Sequence, residues 1–448
     1  VSVTTAMHAE NPRSAPYAEF LAHKARREWQ HGLTVATSAV HPMLHDWQAR
    51  IVTWAARKGR AAVFADCGLG KTFIQLEWAR LVADRSLIVA PLSVARQTVR
   101  EGQKIGNVPH YVRHQSDIDG SGVWITNYEM VGNFKPDAFD AVVLDESSIL
   151  KNVDGKTRQR LTEMFDAVPL RLACTATPAP NDVAELTNHA AFLGVMSRAE
   201  MLAAYFVHDE REWRVKGHAR DPMFRWMASW AVALRRPSDL GYDDDGYVLP
   251  PLAILPEIVT VDAVPDGQLF ATDLGGIGGR ATARRLTLAA RVERTVQLAS
   301  GPGQWIVWCG LNDEAEMIGL AVRGAVNVPG SWSPDAKASA LEGFQDGEIR
   351  VLVTKPSIAG FGMNFQNAHQ MVFCGLSDSY ESYYQAIRRC WRFGQTEPVV
   401  AHVVVSELER QIADNVRRKE LEAEAMTDGL VRHVVSELGE LAAWARPT

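Results

Sequence analysis

Between the apolar run AAVF (61–64) and the helical pattern FIQLEWARLV (73–82) stands ADCGLGKT, Ala65 to Thr72. A strand, a tight turn and a helix start must follow one another here within a few residues. That order lets exposed backbone N–H groups and the helix dipole converge on phosphate oxygens. Gly68 and Gly70, flanking Leu69, permit close backbone approach. In this pattern Lys71 reaches the β- and γ-phosphates of a nucleotide, and the Thr72 hydroxyl is a ligand for Mg²⁺.

The rest of the chain repeats the alternation. Apolar runs at 61–65, 86–90, 122–127, 141–145 and 170–176 form one block, and runs at 305–310, 325–330, 350–354, 370–375 and 399–405 form a second. Short apolar runs bounded by Gly or Pro, with helical patterns between them, predict parallel sheets flanked by helices. With 448 residues the chain is long for one domain. The expected fold is α/β, with two tandem lobes. Lobe 1 spans 41–245, with an Arg- and Trp-bearing helical insertion at about 190–236. Lobe 2 spans 246–405; a helical extension over 1–40 precedes lobe 1, and charged helices over 406–448 follow lobe 2 and brace the two lobes. SDLGYDDDGYVLPPLAILP (238–256), rich in Gly, Asp and Pro, reads as the connection.

The run AVVLDESS (141–148) ends in adjacent carboxylates. Hydrolysis of Mg·ATP needs such a pair: Asp145 to hold the metal, Glu146 to orient and deprotonate the attacking water. Near the end, YYQAIRRCWRFGQ (383–395) places Gln385, Arg388, Arg389 and Arg392 within about 100° of a helical arc. Tyr384, Ile387, Cys390 and Trp391 fall opposite, so the helix packs on its apolar back and presents guanidinium groups. Geometry alone admits all three arginines as phosphate ligands.

In order, ADCGLGKT, LDESS, TATPAPN (175–181), SIAGFGMN (357–364) and QAIRRCWRFGQ (385–395) resemble the motifs of superfamily 2 helicases. The last is similar to the QAxxRxxRxGQ ending of Swi/Snf-type ATPases, and the whole resembles compact DEAD/DEAH-type helicases of bacteria and phages. Ala65, where the general phosphate-loop pattern has Gly, fits the AxxGxGKT form of such ATPases. The resemblance implies two RecA-like lobes closing on ATP. It implies that Gln48 in LHDWQARIV reads adenine and that Gly362 lies at the ATP site. It assigns Arg389 and Arg392 as arginine fingers, worth about 4 to 7 kcal/mol of barrier. It makes Thr175, Thr177 and Gln385 the coupling groups between ATP and the second lobe. Ser93, Arg96, Asn127, Tyr128, Ser357 and Asn364 become the nucleic-acid contacts, with Ser93 capping a helix that starts near Val94. Arg388 is left between an interlobe and a nucleic-acid contact. Ser148, in place of the Asp or His that names the DEAD and DEAH groups, turns the expectation from RNA towards DNA.

What the resemblance implies is an ATP- and Mg²⁺-dependent DNA helicase, a single-strand translocase of 3′→5′ sense and a monomer. Its rivals are a duplex translocase that never separates strands, and an ATP-gated DNA-binding subunit serving a nuclease or methyltransferase partner. The net charge of −6 places any nucleic-acid grip in local patches. RATARRLTLAARVER (280–294) is one candidate, and Trp213, Trp226 and Trp230 beside the insertion's arginines are another; a solvated face and a core role are their alternatives. Five scattered cysteines, none in a CxxC pair, fit reduced thiols and a cytoplasmic setting. The first thirty residues hold no signal-like apolar run, and no segment is apolar enough to span a membrane. GGIGG (275–279) lacks a preceding strand, and Pro42 spoils a helical His41/His45 pair, so neither carries a site.

Overall fold

The computed structural model describes residues 32–151, 155–209, 213–260, 284–359, 363–377, 379–407 and 410–444. Each apolar run read from the sequence is a strand. Lobe 1 begins with α1 (Asp46–Lys58), whose N-terminus is closed by a reciprocal pair: Gln48 Oε1 accepts from the His45 N–H. There follow β1 (Arg60–Ala65), α2 (Lys71–Val82), β2 (Arg85–Ala90), α3 (Leu92–Lys104), β3 (His110–Tyr111), β4 (Gly122–Asn127), β5 (Ala141–Asp145), α4 (Lys156–Met164) and β6 (Leu170–Cys174). After α5 (Leu186–Leu193) and α6 (Arg198–Tyr205) come the hairpin β7 (Phe206–His208) and β8 (Trp213–Val215), α7 (Arg220–Ala228) and β9 (Ala231–Leu234).

The lobe 1 sheet runs β3-β4-β2-β5-β6-β1-β9, and its paired strands are parallel. Buried on both faces, its central strands are continuously apolar rather than alternating; all of β5 is buried. The strands that carry the phosphate loop and the acidic pair, β1 and β5, both border β6. Their C-terminal ends therefore open onto one edge, where α/β sheets bind ligands.

Lobe 2 comprises β10 (Leu252–Val259), α8 (Leu288–Ala299), β11 (Trp305–Cys309), α9 (Asn312–Ala321), β12 (Ala325–Asn327), α10 (Pro334–Gln345), β13 (Val351–Thr354), α11 (Pro356–Ala359), β14 (Gln370–Cys374), α12 (Tyr380–Cys390) and β15 (Val399–Ser406). Its sheet is again parallel, in the order β10-β15-β14-β11-β13-β12. These are two RecA-like lobes. The last helix, α13 (Arg410–Trp444), joins them. Its Ile412 and Val416 pack in the lobe 2 core, whereas Met426, Leu430 and Val434 pack in the core of lobe 1.

Three differences from the sequence reading have physical causes. The segment read as a helical insertion also holds the β7–β8 hairpin and β9, which pairs with β1 as the sheet's edge strand. AVAL alone is too short for its period to separate strand from helix. The connection read over 238–256 contains the start of β10, whose PPLAILP composition hid an edge strand that tolerates proline. Finally, α12 ends at Cys390, one turn before the sequence period would end it. Trp391 leaves helical geometry, so Arg392 lies beyond the helix. The extension over residues 1–31, GGIGG and Arg280 lie outside the described residues.

Candidate ATP site and interlobe cleft

The phosphate loop closes as its glycines require. Gly68 and Gly70 sit at φ +88° and +70°, in the left-handed region that favours glycine. At Gly70 a Cβ would also lie 2.4 Å from the Gln48 amide nitrogen. That amide donates to the Leu69 carbonyl at 3.1 Å, so buried Gln48 braces the loop from below. One N–H of the amide and one lone pair remain for a further partner. Lys71 heads α2 and donates to the Ala65 and Asp66 carbonyls at 2.8 and 3.2 Å. It lies folded over the loop, close enough to draw Asp145 and Glu146 towards their charged forms.

The acidic pair is held from several sides. Asp145 Oδ1 accepts from the Gln75 amide at 2.7 Å and from the Glu146 N–H at 2.9 Å. Oδ2 carries neither bond and can take a metal together with the Thr72 hydroxyl. Both are hard oxygen donors suited to Mg²⁺, whose remaining ligands are normally phosphate and water. Among the described residues no cluster of three or more His, Cys, Asp or Glu forms a metal cage. Glu146 is the one non-glycine at positive φ, +51°, among the described residues. Such a conformation costs of order 1–3 kcal/mol and persists only where neighbours over-determine it. Here Tyr128 Oη donates to the Asp145 carbonyl at 2.7 Å, Ser147 Oγ meets His189 Nε2 at 3.1 Å, and Thr175 Oγ1 donates to Glu146 Oε2 at 3.4 Å. Burial raises the Glu146 carboxyl above its ordinary range, with Asp145 adding to the rise; Lys71 and Arg389 oppose it. A carboxylate raised in this way is a stronger proton acceptor.

Lobe 2 reaches this site through α12. Arg389, buried, donates to Gln385 Oε1 at 2.7 Å and to the Met363 carbonyl at 3.2 Å, and its charge is felt at Glu146. Arg392, half-buried, donates to the same carbonyl at 3.4 Å. The Nε atoms of both arginines are buried without a hydrogen-bond partner. Gln385 Oε1 also accepts from the Cys67 thiol of the phosphate loop at 3.8 Å. Lys151, just after the acidic pair, bonds Glu381 at the start of α12.

Three residues were not assigned a role from sequence. Gln395 stops α12: its amide donates to the Cys390 carbonyl at 3.2 Å and to the Gln366 carbonyl at 3.1 Å, while its oxygen accepts from the Thr396 and Glu397 N–H groups. The final Gln of the motif thus turns the chain so that Arg392 faces the cleft. His189 supports the acidic turn through Ser147, and burial lowers it to about 4, which keeps it neutral. Nothing local in the sequence marks it. Phe393 packs against Tyr247, whose ring also meets His45 and Trp47 edge-on. These rings gather beside Gln48, on the flank of the phosphate loop.

The residues expected at nucleic acid divide. Ser93 and Arg96 are exposed at the start of α3, as Ser357 is on α11. Ser93 lies inside the first turn of α3, which Pro91 precedes, so it is not the N-cap. Asn364 is half-buried, and its Oδ1 accepts from the Gln366 N–H. Asn127 is buried, its side chain spent on Tyr111 Oη and the Met130 N–H, and Tyr128 faces the acidic turn. Thr177 is buried, with its hydroxyl unpaired. Gly362 lies outside the described residues. In the basic segment, Arg291 is wholly buried against Glu314 at 2.6 Å, Arg294 pairs with Glu257 and Arg284 with Glu314; Arg285 is exposed. Trp226 stacks on Tyr205 and meets Trp230, so both belong to the lobe 1 core.

Residues 290–394 match the family described as the helicase conserved C-terminal domain. Among solved structures, the Sulfolobus solfataricus SWI2/SNF2 ATPase core in complex with dsDNA is similar, at 17% identity and a TM-score of 0.43. The likeness covers 89% of this chain and 96% of that one. No curated protein matches. The second lobe is thus similar over residues 290–394 to the helicase conserved C-terminal domain, and the phosphate loop and acidic pair read from the sequence stand on the first lobe.

Proposed function

We propose that this chain is a DNA-dependent ATPase motor that hydrolyses ATP between its two lobes and moves along DNA. The observation that carries this reading is the Glu146 carboxylate, which feels Lys71 from its own lobe and Arg389 from the other. A base, a phosphate-binding lysine and an opposing arginine in one cleft are the parts that phosphoryl transfer to water requires. Gly68 to Thr72 and Gln48 would hold the nucleotide, with Gly362 on the lobe 2 side; Asp145 and Thr72 would hold Mg²⁺. The ion supplies charge neutralisation at the phosphates. Glu146 would take the proton of the attacking water, and Arg389 and Arg392 would meet the developing charge. Their unpaired Nε groups favour an anionic visitor. Through Thr175, which bonds Glu146, and Gln385, which bonds Arg389, loss of the phosphate would be felt in both lobes.

For DNA, the exposed Ser93, Arg96 and Ser357 on the two lobes provide the grip, with Asn364 beside them. Tyr128 serves the acidic turn instead, and the Asn127 side chain is held by Tyr111 and the Met130 N–H. The working direction we assign is 3′→5′ on a single strand. A second reading, duplex tracking without strand separation, is favoured by Trp226 and Trp230 lying in the core, which removes them as a separating wedge. We read the motor as a bacterial or phage-type protein acting in the cytoplasm as a monomer, able to serve a nuclease or methyltransferase. All five cysteines are free thiols, and no described helix is long and apolar enough to cross a membrane. Strand displacement from a tailed duplex, set against triplex displacement from a blunt one, tests the mode of movement. Release of the labelled strand supports unwinding, and triplex displacement alone supports duplex tracking.

A further inference from the structure

The arginine without an assigned role pairs with the phosphate loop itself. Arg388 forms an ion pair with Asp66, the second residue of ADCGLGKT, and both side chains are more than nine-tenths buried. Tyr384, one turn earlier on α12, donates its hydroxyl to the other oxygen of the same carboxylate. That oxygen also accepts from the Cys67 N–H at 2.6 Å, inside the phosphate loop. The Arg388 guanidinium lies over the rings of Trp391, 4.4 Å from its centroid, and Tyr384, at 5.3 Å. Trp391 in turn donates its indole N–H to the Pro250 carbonyl of the connection at 2.7 Å. The phosphate loop, α12 and the connection thus meet around one carboxylate. Arg388 shares the helix end with Arg389 but has different partners, Asp66 of the loop rather than Gln385 and the Met363 carbonyl.

We propose that Arg388 is a positioning residue: paired with Asp66, to which Tyr384 also donates, it pins the end of the helix that bears Arg389, with Arg392 just beyond it, to the phosphate loop itself. It binds neither a phosphate nor nucleic acid. Three features support this over a phosphate ligand. The guanidinium is already neutralised by a carboxylate, it lies over two aromatic rings, and its partner belongs to the loop that would receive the nucleotide. A change in that loop on ATP binding is thereby transmitted to the two fingers without an intervening element. The proposal rests on the ATPase reading above, yet the pair can be tested without turnover.

The test is a double-mutant cycle on the full chain with Asp66→Asn, Arg388→Ala and both together, and with Arg388→Lys and Tyr384→Phe as milder variants. In DNA-stimulated ATP hydrolysis, each of the first two should lower kcat about tenfold or more while KM for ATP stays within about threefold. The double variant should be no more than about twofold slower than either single one, because one linkage is lost in each case. Arg388→Lys should recover part of kcat, and Tyr384→Phe, which removes only a hydroxyl, should lower it by about two- to fivefold. Multiplying losses in the double variant would overturn the proposal. So would a raised KM at unchanged kcat, the mark of a phosphate ligand, or a loss confined to DNA affinity. If the wild-type chain hydrolyses no ATP, the ATPase reading fails and the pair is read from denaturant unfolding of the nucleotide-free protein. Non-additive shifts of the midpoint then support the linkage, and additive shifts overturn it.

Discussion

Glu146 carries two burdens, a left-handed backbone and a carboxyl raised by burial. Replacement by Gln keeps the shape and removes the base, so kcat should fall by about 10² to 10⁴ while nucleotide still binds. Hydrolysis kept at the wild-type rate would show the base to lie elsewhere. The raised carboxyl also sets a sign: activity should fall as pH drops through a value above the ordinary carboxylate range, as Glu146 takes up its proton. A pH profile of kcat with its acid limb at an ordinary glutamate value would contradict the assignment. His189 makes a separate statement about stability. It is buried neutral at about 4, against 6.5 when unfolded. Between these values the unfolded chain binds the additional proton, so this contribution is present above pH 6.5 and lost as pH falls to about 4. At most it amounts to about 3 kcal/mol. His189→Gln should flatten that part of the stability–pH curve measured by denaturant unfolding.

At the scale of elements, the phosphate loop was the most legible part of the sequence because two glycines at fixed spacing leave its backbone little choice. Gly70→Ala should abolish nucleotide binding, since the new Cβ meets Gln48 and the backbone is left-handed; titration with a fluorescent nucleotide would show it. The acidic strand end was legible too, since five buried apolar positions ending in two acids have few other uses. The arginine helix was read as continuous through Arg392 and as having separate apolar and charged faces; it ends at Cys390, and Tyr384 of the apolar side meets the same Asp66 carboxylate as Arg388. Its end depends on Gln395 reaching back to Cys390, a contact that the helical period cannot show. The basic face of α8 shows a different limit. Arg291 counts as surface charge in a sequence, yet it is a core residue because Glu314, twenty-three positions on, folds over it. Asn127 and Tyr128 were read outwards and point inwards for a similar reason: their partners Tyr111 and Asp145 come from other strands.

For the whole molecule, α13 matters most. One helix anchored by Ile412 and Val416 in one core and by Met426, Leu430 and Val434 in the other limits how far the lobes can separate. Its seat on lobe 1 is close, for a Cβ at Gly429 would lie 2.4 Å from the Phe224 ring. Gly429→Leu should therefore unseat the helix from lobe 1, lower thermal stability by a few degrees and broaden the solution scattering envelope. An unchanged envelope would show that the lobes are held by α12 alone. The charged composition of 406–448 reads as helices bracing the two lobes; one helix, α13, reaches both cores, and where the preceding strand leaves lobe 2 sets that reach. The central claim is that nucleic acid drives ATP hydrolysis in the interlobe cleft, and the direct measurement is the steady-state ATPase rate with single-stranded DNA, duplex DNA and RNA. Marked stimulation by DNA, exceeding that by RNA and lost in Glu146→Gln, is the expected result; a rate that no nucleic acid changes would contradict it.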